Sequence, residues 1–377
     1  MVWLLASSAF ALTLDEVVAR AGEVNPYAVA SDLEWRKLRM EAAERWSLLS
    51  VTPEVTLERR WVAGTVADEG QVKVTAGLLN VPGWFDALEQ SAQARSYRHV
   101  SEATALDAQY AAAVLYFEAL AAEGMRDAAL QFVTESARTL EATRARVQVG
   151  MDSEIMLRTA EVQALEAGTA LQRAESGVRN SRARLARAIE QEVDTLVPVR
   201  VEPPPAEPAR SPWIEAQREL TTAAHMEHAQ SWSELLPTAE LQVEAPIGVD
   251  EWTVTLQGTW TIDGAGPFLR ARASALAIKQ SEVLVRGLQL DHDLWVETGR
   301  EDARSLGEEV TSARARVELS IQTLAVGQAR LIVGLMDTLD VIKLQEDVVD
   351  ARVDQINAEL EEAYAVLEAR RLAGTPW

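Results

Sequence analysis

The chain has 377 residues, is 48% hydrophobic, lacks cysteine and carries a formal net charge of −22 at pH 7. That length allows two or three ordinary domains with a sizeable core. The missing cysteine excludes disulfides, thiolate metal sites and cysteine nucleophiles, and the acidic balance argues against a general nucleic-acid binder, because neutralising phosphates needs clustered Lys and Arg.

In chain order, Val2 to Phe10 form a short apolar run closing on Ala9-Phe10-Ala11. This Ala-x-Ala ending resembles the end of a secretory signal peptide over residues 1–11, although the basic n-region is missing; either the true signal starts further upstream or the match is accidental. After Ala11 no apolar run approaches the ~18 residues of a membrane helix, so a membrane crossing by this chain would have to use strands.

Residues 12–197 read as a first unit: a helix, a β-hairpin over about 54–79, and a helical hairpin over 84–195 with its tip at 146–153. Residues 198–212 are a proline-rich connection, extended in character. Residues 213–374 repeat the first pattern, with a helix, a β-hairpin over about 239–261, and a helical hairpin over 268–373 with its tip at 330–340. The helical tracts are proline-free and rich in Ala, Leu, Glu, Arg and Gln, residues of high helix propensity. At ~1.5 Å per residue the first arm would extend on the order of 100 Å.

The two units are a duplication. Arg146-Val147-Gln148-Val149-Gly150-Met151-Asp152 recurs as Arg330-Leu331-Ile332-Val333-Gly334-Leu335-Met336-Asp337, with the glycines 184 residues apart. Pro53 and Pro237 share that offset, while Asn25-Pro26 against Ser211-Pro212 and Trp46 against Trp232 are offset by 186. So long a period marks one duplicated domain-sized unit rather than a solenoid.

The segments between the helical tracts alternate with period two. Trp252-Thr253-Val254-Thr255-Leu256-Gln257-Gly258-Thr259-Trp260 places Trp, Val, Leu and Gly on one side and Thr or Gln on the other. Eight residues at ~3.3 Å separate the two tryptophans by about 26 Å, the height of an outer-membrane apolar band with aromatic girdles at its edges. Ala239-Leu241-Val243-Ala245 and Val72-Val74-Ala76-Leu78 alternate likewise, and Val55-Leu57 leads on to Trp61. Four strands cannot close a membrane barrel, and an open edge in hydrocarbon leaves backbone groups unsatisfied. Three chains would supply twelve strands, and cyclic symmetry is the simplest closure.

Leu235-Leu236-Pro237 before a strand, Trp260-Thr261-Ile262-Asp263-Gly264-Ala265-Gly266 at the strand-to-helix transition, Val-Gly at both helical turns, and Leu12-Thr13-Leu14-Asp15-Glu16-Val17-Val18 through Asn25-Pro26 together resemble the TolC family of outer-membrane efflux proteins. The resemblance runs from about Leu12 to Gly374. It implies a mainly α fold with a small β part, in which long coiled helical hairpins and four strands per chain build a homotrimer with a twelve-stranded β-barrel in the outer membrane and an α-helical tunnel in the periplasm. It also implies a periplasmic adaptor docking at the tips, Val149, Gly150, Met151, Val333, Gly334 and Leu335, and an inner-membrane pump as a further partner. By similarity the pore constriction falls in Asp337-Thr338-Leu339-Asp340-Val341-Ile342-Lys343, where Asp340 takes a ring position and Lys343 departs from the family pattern. Lys343 would weaken that carboxylate field or pair with Asp340 at i, i+3. Leu331 and Met336 stand where some members carry a latching tyrosine and arginine. Trp252 and Trp260 are the girdle candidates toward outer-membrane lipid.

Other chemistry is sparse. His225 and His228 lie at i, i+3 without a third ligand nearby, and a packing role is expected of them. Met151, Met156 and Met336 at the tips suit flexible packing better than soft-metal binding. No catalytic triad, phosphate loop or nucleotide fingerprint is present, so neither an enzyme nor a cofactor is expected. A passive exit duct is the reading favoured by the strands, and a non-conducting periplasmic coiled-coil scaffold is its alternative. Cargo, pump and adaptor are not legible.

Overall fold

The structure is a computed structural model that describes residues 11–49, 51–62, 65–201, 211–246, 253–260 and 265–374. Helices α1 (Leu14–Val24) and α2 (Pro26–Leu48) are followed by strands β1 (Val51–Val62) and β2 (Thr65–Leu79). Then come the 68-residue helix α3 (Val81–Gln148) and the 36-residue α4 (Glu154–Ile189). The second half repeats the order with α5 (Pro212–Ser233), β3 (Thr238–Pro246), β4 (Thr253–Thr259), α6 (Gly266–Ile332) and α7 (Thr338–Leu372). The expected duplication is thus visible as helix, hairpin, long helix, shorter helix, twice over. The returning arms are about half as long as the outgoing ones.

Local chemistry sets the boundaries. Thr13 and Glu16 form a capping box at the start of α1. The Asn25 side chain accepts from the amides of Tyr27 and Ala28, so Asn25-Pro26 ends one helix and caps the next, dividing what the sequence suggests is a single helix. Asn80 accepts from the Gly83 amide at the start of α3. Pro212 occupies the first turn of α5, where no intrahelical donor is lost.

The described chain forms two compact units. One contains residues 1–28, 105–209 and 292–377; the other contains 29–104 and 210–291. The first is centred on Leu12, Val17, Val18, Tyr116, Leu185, Ile189, Leu196 and Leu367, all buried. There Leu12 bridges Leu196, and the Tyr116 hydroxyl donates to the Val197 carbonyl at 2.6 Å and accepts from its amide at 3.2 Å. Burial pushes that phenol up to about 12. The second unit packs its helices through small residues, with Ala87, Ala92, Ala94, Ser96, Ala216, Ala223, Ala271 and Ser274 buried. The four strands also belong to this unit, as one antiparallel sheet in the order β1-β2-β3-β4. The β2–β3 pairing joins a hairpin of the first repeat to one of the second.

Candidate functional site

In the sheet, register converts four alternating sequences into two faces. Val74 lies opposite Val243, which lies opposite Val254; Ala76, Leu241 and Leu256 form the next row. Because side chains alternate across a strand, these rows share one apolar face. The other face carries Thr75, Gln242 and Thr255, and Lys73 with Glu244, whose charged groups are 3.7 Å apart. Val254 and Leu256 are 62% and 68% exposed, so the apolar face of β4 is uncovered within the chain. Among the described residues β1 and β4 each pair on one side only. An apolar face with two open edges is the chemistry of a barrel segment awaiting neighbours in hydrocarbon.

Of the two girdle candidates, only Trp260 falls among the described residues; Trp252 lies outside them. Trp260 falls one residue beyond β4, and its indole N–H donates to the Leu235 carbonyl at 3.1 Å. It therefore ties the end of the strand to the chain entering β3, with its ring left largely exposed.

The hairpin tips have a common backbone. Gly150 and Gly334 have φ of 77° and 78°, the left-handed region in which glycine is favoured. Met151 N–H donates to Arg146 O at 2.9 Å and Gly150 N–H to Val147 O at 3.0 Å; Leu335 to Arg330 O and Gly334 to Leu331 O repeat the pattern at 2.8 and 3.1 Å. Both are Schellman endings, which satisfy the last carbonyls of a helix. Val149, Met151, Val333 and Leu335 are exposed around them.

The side chains of the two tips differ. Ser153 caps α4 and Asp337 caps α7, its carboxylate accepting from the Asp340 amide at 2.8 Å. Asp337 is thus the counterpart of Ser153, and Met336 that of Asp152. The sequence pairing of Asp152 with Asp337 is overturned because the caps, not the repeated Asp, fix the register. Asp340 and Lys343 are exposed on α7, and of the two alternatives for Lys343 the i, i+3 ion pair with Asp340 is not formed among the described residues.

What sequence reasoning missed is a polar lock across the tips. Arg146 binds Asp152 with Nε at 2.8 Å and Nη2 at 3.2 Å, and its Nη1 donates to the Leu331 carbonyl. Thr338 donates to Asp152 at 3.0 Å and contacts Thr143 at 3.1 Å. Gln345 of α7 adds donors to Thr139 Oγ1 and the Glu135 carbonyl at 2.7 and 3.0 Å. The side chains of Arg146 and Asp152 are only 13% and 7% exposed. The hydrogen bonds from Arg146 hold the Asp152 carboxyl below the ordinary aspartate range, against the opposing effect of burial. A polar fastening thus joins the two hairpins, built from the first hairpin's arginine. The signal available in sequence was Arg146 six residues before Asp152 across a glycine turn.

Both ring nitrogens of His228 are engaged, Nδ1 with Ser274 Oγ at 2.9 Å and Nε2 accepting from the Trp232 indole at 3.2 Å. Met336 packs with the small cluster of Leu324, Leu331 and Val341, and Met151 lies against Gly334.

No protein-family model and no curated protein sequence matches the chain. The fold nevertheless defines a class: the chain shares its fold with bacterial outer-membrane channels. The MtrE outer membrane channel of Neisseria gonorrhoeae, in its open state, superposes with a TM-score of 0.81 at 16% identity, over 96% of this chain and 88% of that one. VceC from Vibrio cholerae gives 0.77 at 13% identity over 96% of each chain, and CmeC of Campylobacter jejuni gives 0.76 at 13% over 96% and 85%. At the level of the fold, these likenesses bear out the resemblance drawn from the sequence.

Proposed function

We propose that the chain is one subunit of an outer-membrane channel-tunnel, the passive exit duct of a tripartite efflux or type I secretion system. The carrying observation is the sheet with one apolar face, one polar face and two open edges. Three copies edge to edge supply twelve strands, satisfy the edges of β1 and β4, and turn the Val254–Leu256 face toward lipid. The similar solved structures, all of outer-membrane channels, support the same reading. The duct does no chemistry; its helical arms carry the conduit through the periplasm toward an inner-membrane pump. The exposed apolar ring of Val149, Met151, Val333 and Leu335 offers contact area to a periplasmic adaptor. Asp340 and Lys343 on α7 are the constriction candidates, with Asp337 committed to capping. The experiment is purification from the outer-membrane fraction in detergent followed by planar-bilayer recording. A trimer with discrete conductance is expected, and a soluble periplasmic monomer without conductance excludes the duct.

A further inference from the structure

Above the tips, three helices of one chain enclose a slot. On α7, Gln345, Val348, Val349 and Arg352 stand at i, i+3, i+4 and i+7, one face over two turns, and line a cavity of about 560 Å³. Phe132 and Glu135 of α3 and Leu324, Ala325 and Gln328 of α6 form its other sides. All of these belong to the unit that carries the tips. A cavity of this size, mainly apolar with a few polar groups, has the dimensions of small-molecule sites. Seven residues of helix set its polar ends, Gln345 and Arg352, roughly 10 Å apart.

The end nearer the tips presents an acceptor. Gln328 donates to the Glu135 carboxylate at 2.7 Å, and that carboxylate is also paired with Arg138 at 2.6 Å. Gln345 uses its amide hydrogens on the Glu135 carbonyl and Thr139 Oγ1 at 3.0 and 2.7 Å. Its residue is 1% exposed, and its Oε1 is buried without a hydrogen-bond partner among the described residues. Such an unmade bond carries the full desolvation penalty of the acceptor. The far end presents a donor and a positive charge. One Nη of Arg352 donates to Gln355 at 3.2 Å, while its Nε is buried with no partner and its guanidinium forms no ion pair among the described residues.

We propose that this slot binds a small amphipathic organic molecule: a flat apolar body with an N–H donor at one end and an acidic group at the other. The N–H donates to Gln345 Oε1, the acid pairs with Arg352, and the body lies against Phe132, Leu324, Val348 and Val349. A hydrocarbon of the same shape would leave both buried polar atoms unpaired, and a molecule with a cation at the Arg352 end would be repelled. Phe132 belongs to the first hairpin and the other three to the second, so the occupant is shared between hairpins and stabilises their packing through its own binding free energy. The site is complete within one chain and does not depend on the reading of that chain as a duct.

The probe is toluidinonaphthalenesulfonate, an elongated aromatic with one N–H and a terminal sulfonate, whose fluorescence rises in apolar surroundings. The full-length protein in detergent is titrated with it, with protein-free micelles as background. Saturable binding of one molecule per chain is expected, weakened tenfold or more by Arg352→Gln and several-fold when the probe is N-methylated and cannot donate. Ala325→Trp, which fills the slot from an exposed position on α6, should abolish it. The probe should raise the thermal unfolding midpoint of the unaltered protein and leave that of Ala325→Trp unchanged. Should Ala325→Trp fail to fold, Arg352→Gln and the N-methylated probe still decide the matter. Uptake that does not saturate, or that is equal in the unaltered protein and Arg352→Gln, is adsorption to micelle or apolar surface and overturns the site. No uptake above the micelle background means that water alone satisfies Gln345, and overturns it equally; either result leaves the channel reading intact.

Discussion

Thr338, the first residue of α7, donates its hydroxyl to the carboxylate of Asp152 in the turn of the other hairpin, at 3.0 Å. Through this bond and the reach of Arg146 to the Leu331 carbonyl, the two helical hairpins of one chain are fastened near their tips by polar groups beside the small apolar cluster of Leu324, Leu331 and Val341. Such polar partners can be exchanged for water at small net cost, whereas a packed apolar seam cannot.

Removing one partner leaves the other buried. Asp152→Ala strands the Arg146 guanidinium with a single carbonyl, a loss of about 3 kcal/mol for a largely buried pair. Amide hydrogen exchange should accelerate around residues 143–152 and 331–341 and stay unchanged around Tyr116. Uniform acceleration throughout the chain would refute a local lock.

The same carboxylate sets a pH dependence. Its folded pKa lies below the ordinary aspartate value of 3.8, so folding stabilises the ionised form. The contribution is complete above that ordinary value and is lost as pH falls through the depressed folded one. Bilayer conductance attributable to tip opening should therefore rise only in strongly acidic buffer on the tip side, and Asp152→Asn should abolish that rise. A transition near neutral pH would point to another group.

The two turn glycines should differ in their tolerance of a side chain. A Cβ at Gly150 meets nothing within 4 Å, whereas one at Gly334 comes within 3.3 Å of Met151. Gly150→Ala is expected to cost only the left-handed penalty of about 1 kcal/mol. Gly334→Ala should cost more, with part of the excess recovered when Met151 is also shortened to Ala. Gly150→Trp and Gly334→Trp should leave the trimer in the membrane and abolish export with adaptor cross-linking. Normal export would place docking elsewhere.

The facing of β4 is open to a paired substitution. Leu256 shares the apolar face with Leu241 and Ala76, and Thr255 the polar face with Gln242 and Thr75. Leu256→Arg should cost roughly 2–4 kcal/mol if it lies near the bilayer midplane, seen as loss of assembled trimer, while Thr255→Arg is much milder. Equal yields of trimer from both variants would contradict the assignment.

Much of this was legible in the residues. Alternation at 72–78, 239–245 and 253–259 announced strands, proline-free Ala- and Leu-rich tracts announced helices, and Gly150 and Gly334 announced the turns, because each rests on short-range backbone sterics and on periodicity that a sequence displays directly. The duplication likewise needed no coordinates. The division at Asn25-Pro26 was less clear, since a cap and a helix end depend on which local hydrogen bond prevails. Only the tertiary structure decided what distant residues do together. Trp260 bound the Leu235 carbonyl, and Arg146 and Thr338 closed a lock on Asp152, with Arg146 reaching the Leu331 carbonyl as well. Partners such as Arg146 and Leu331 are 185 residues apart, and no local rule relates them: their meeting depends on how long helices pack side by side, which is set by the summed contacts of the whole fold.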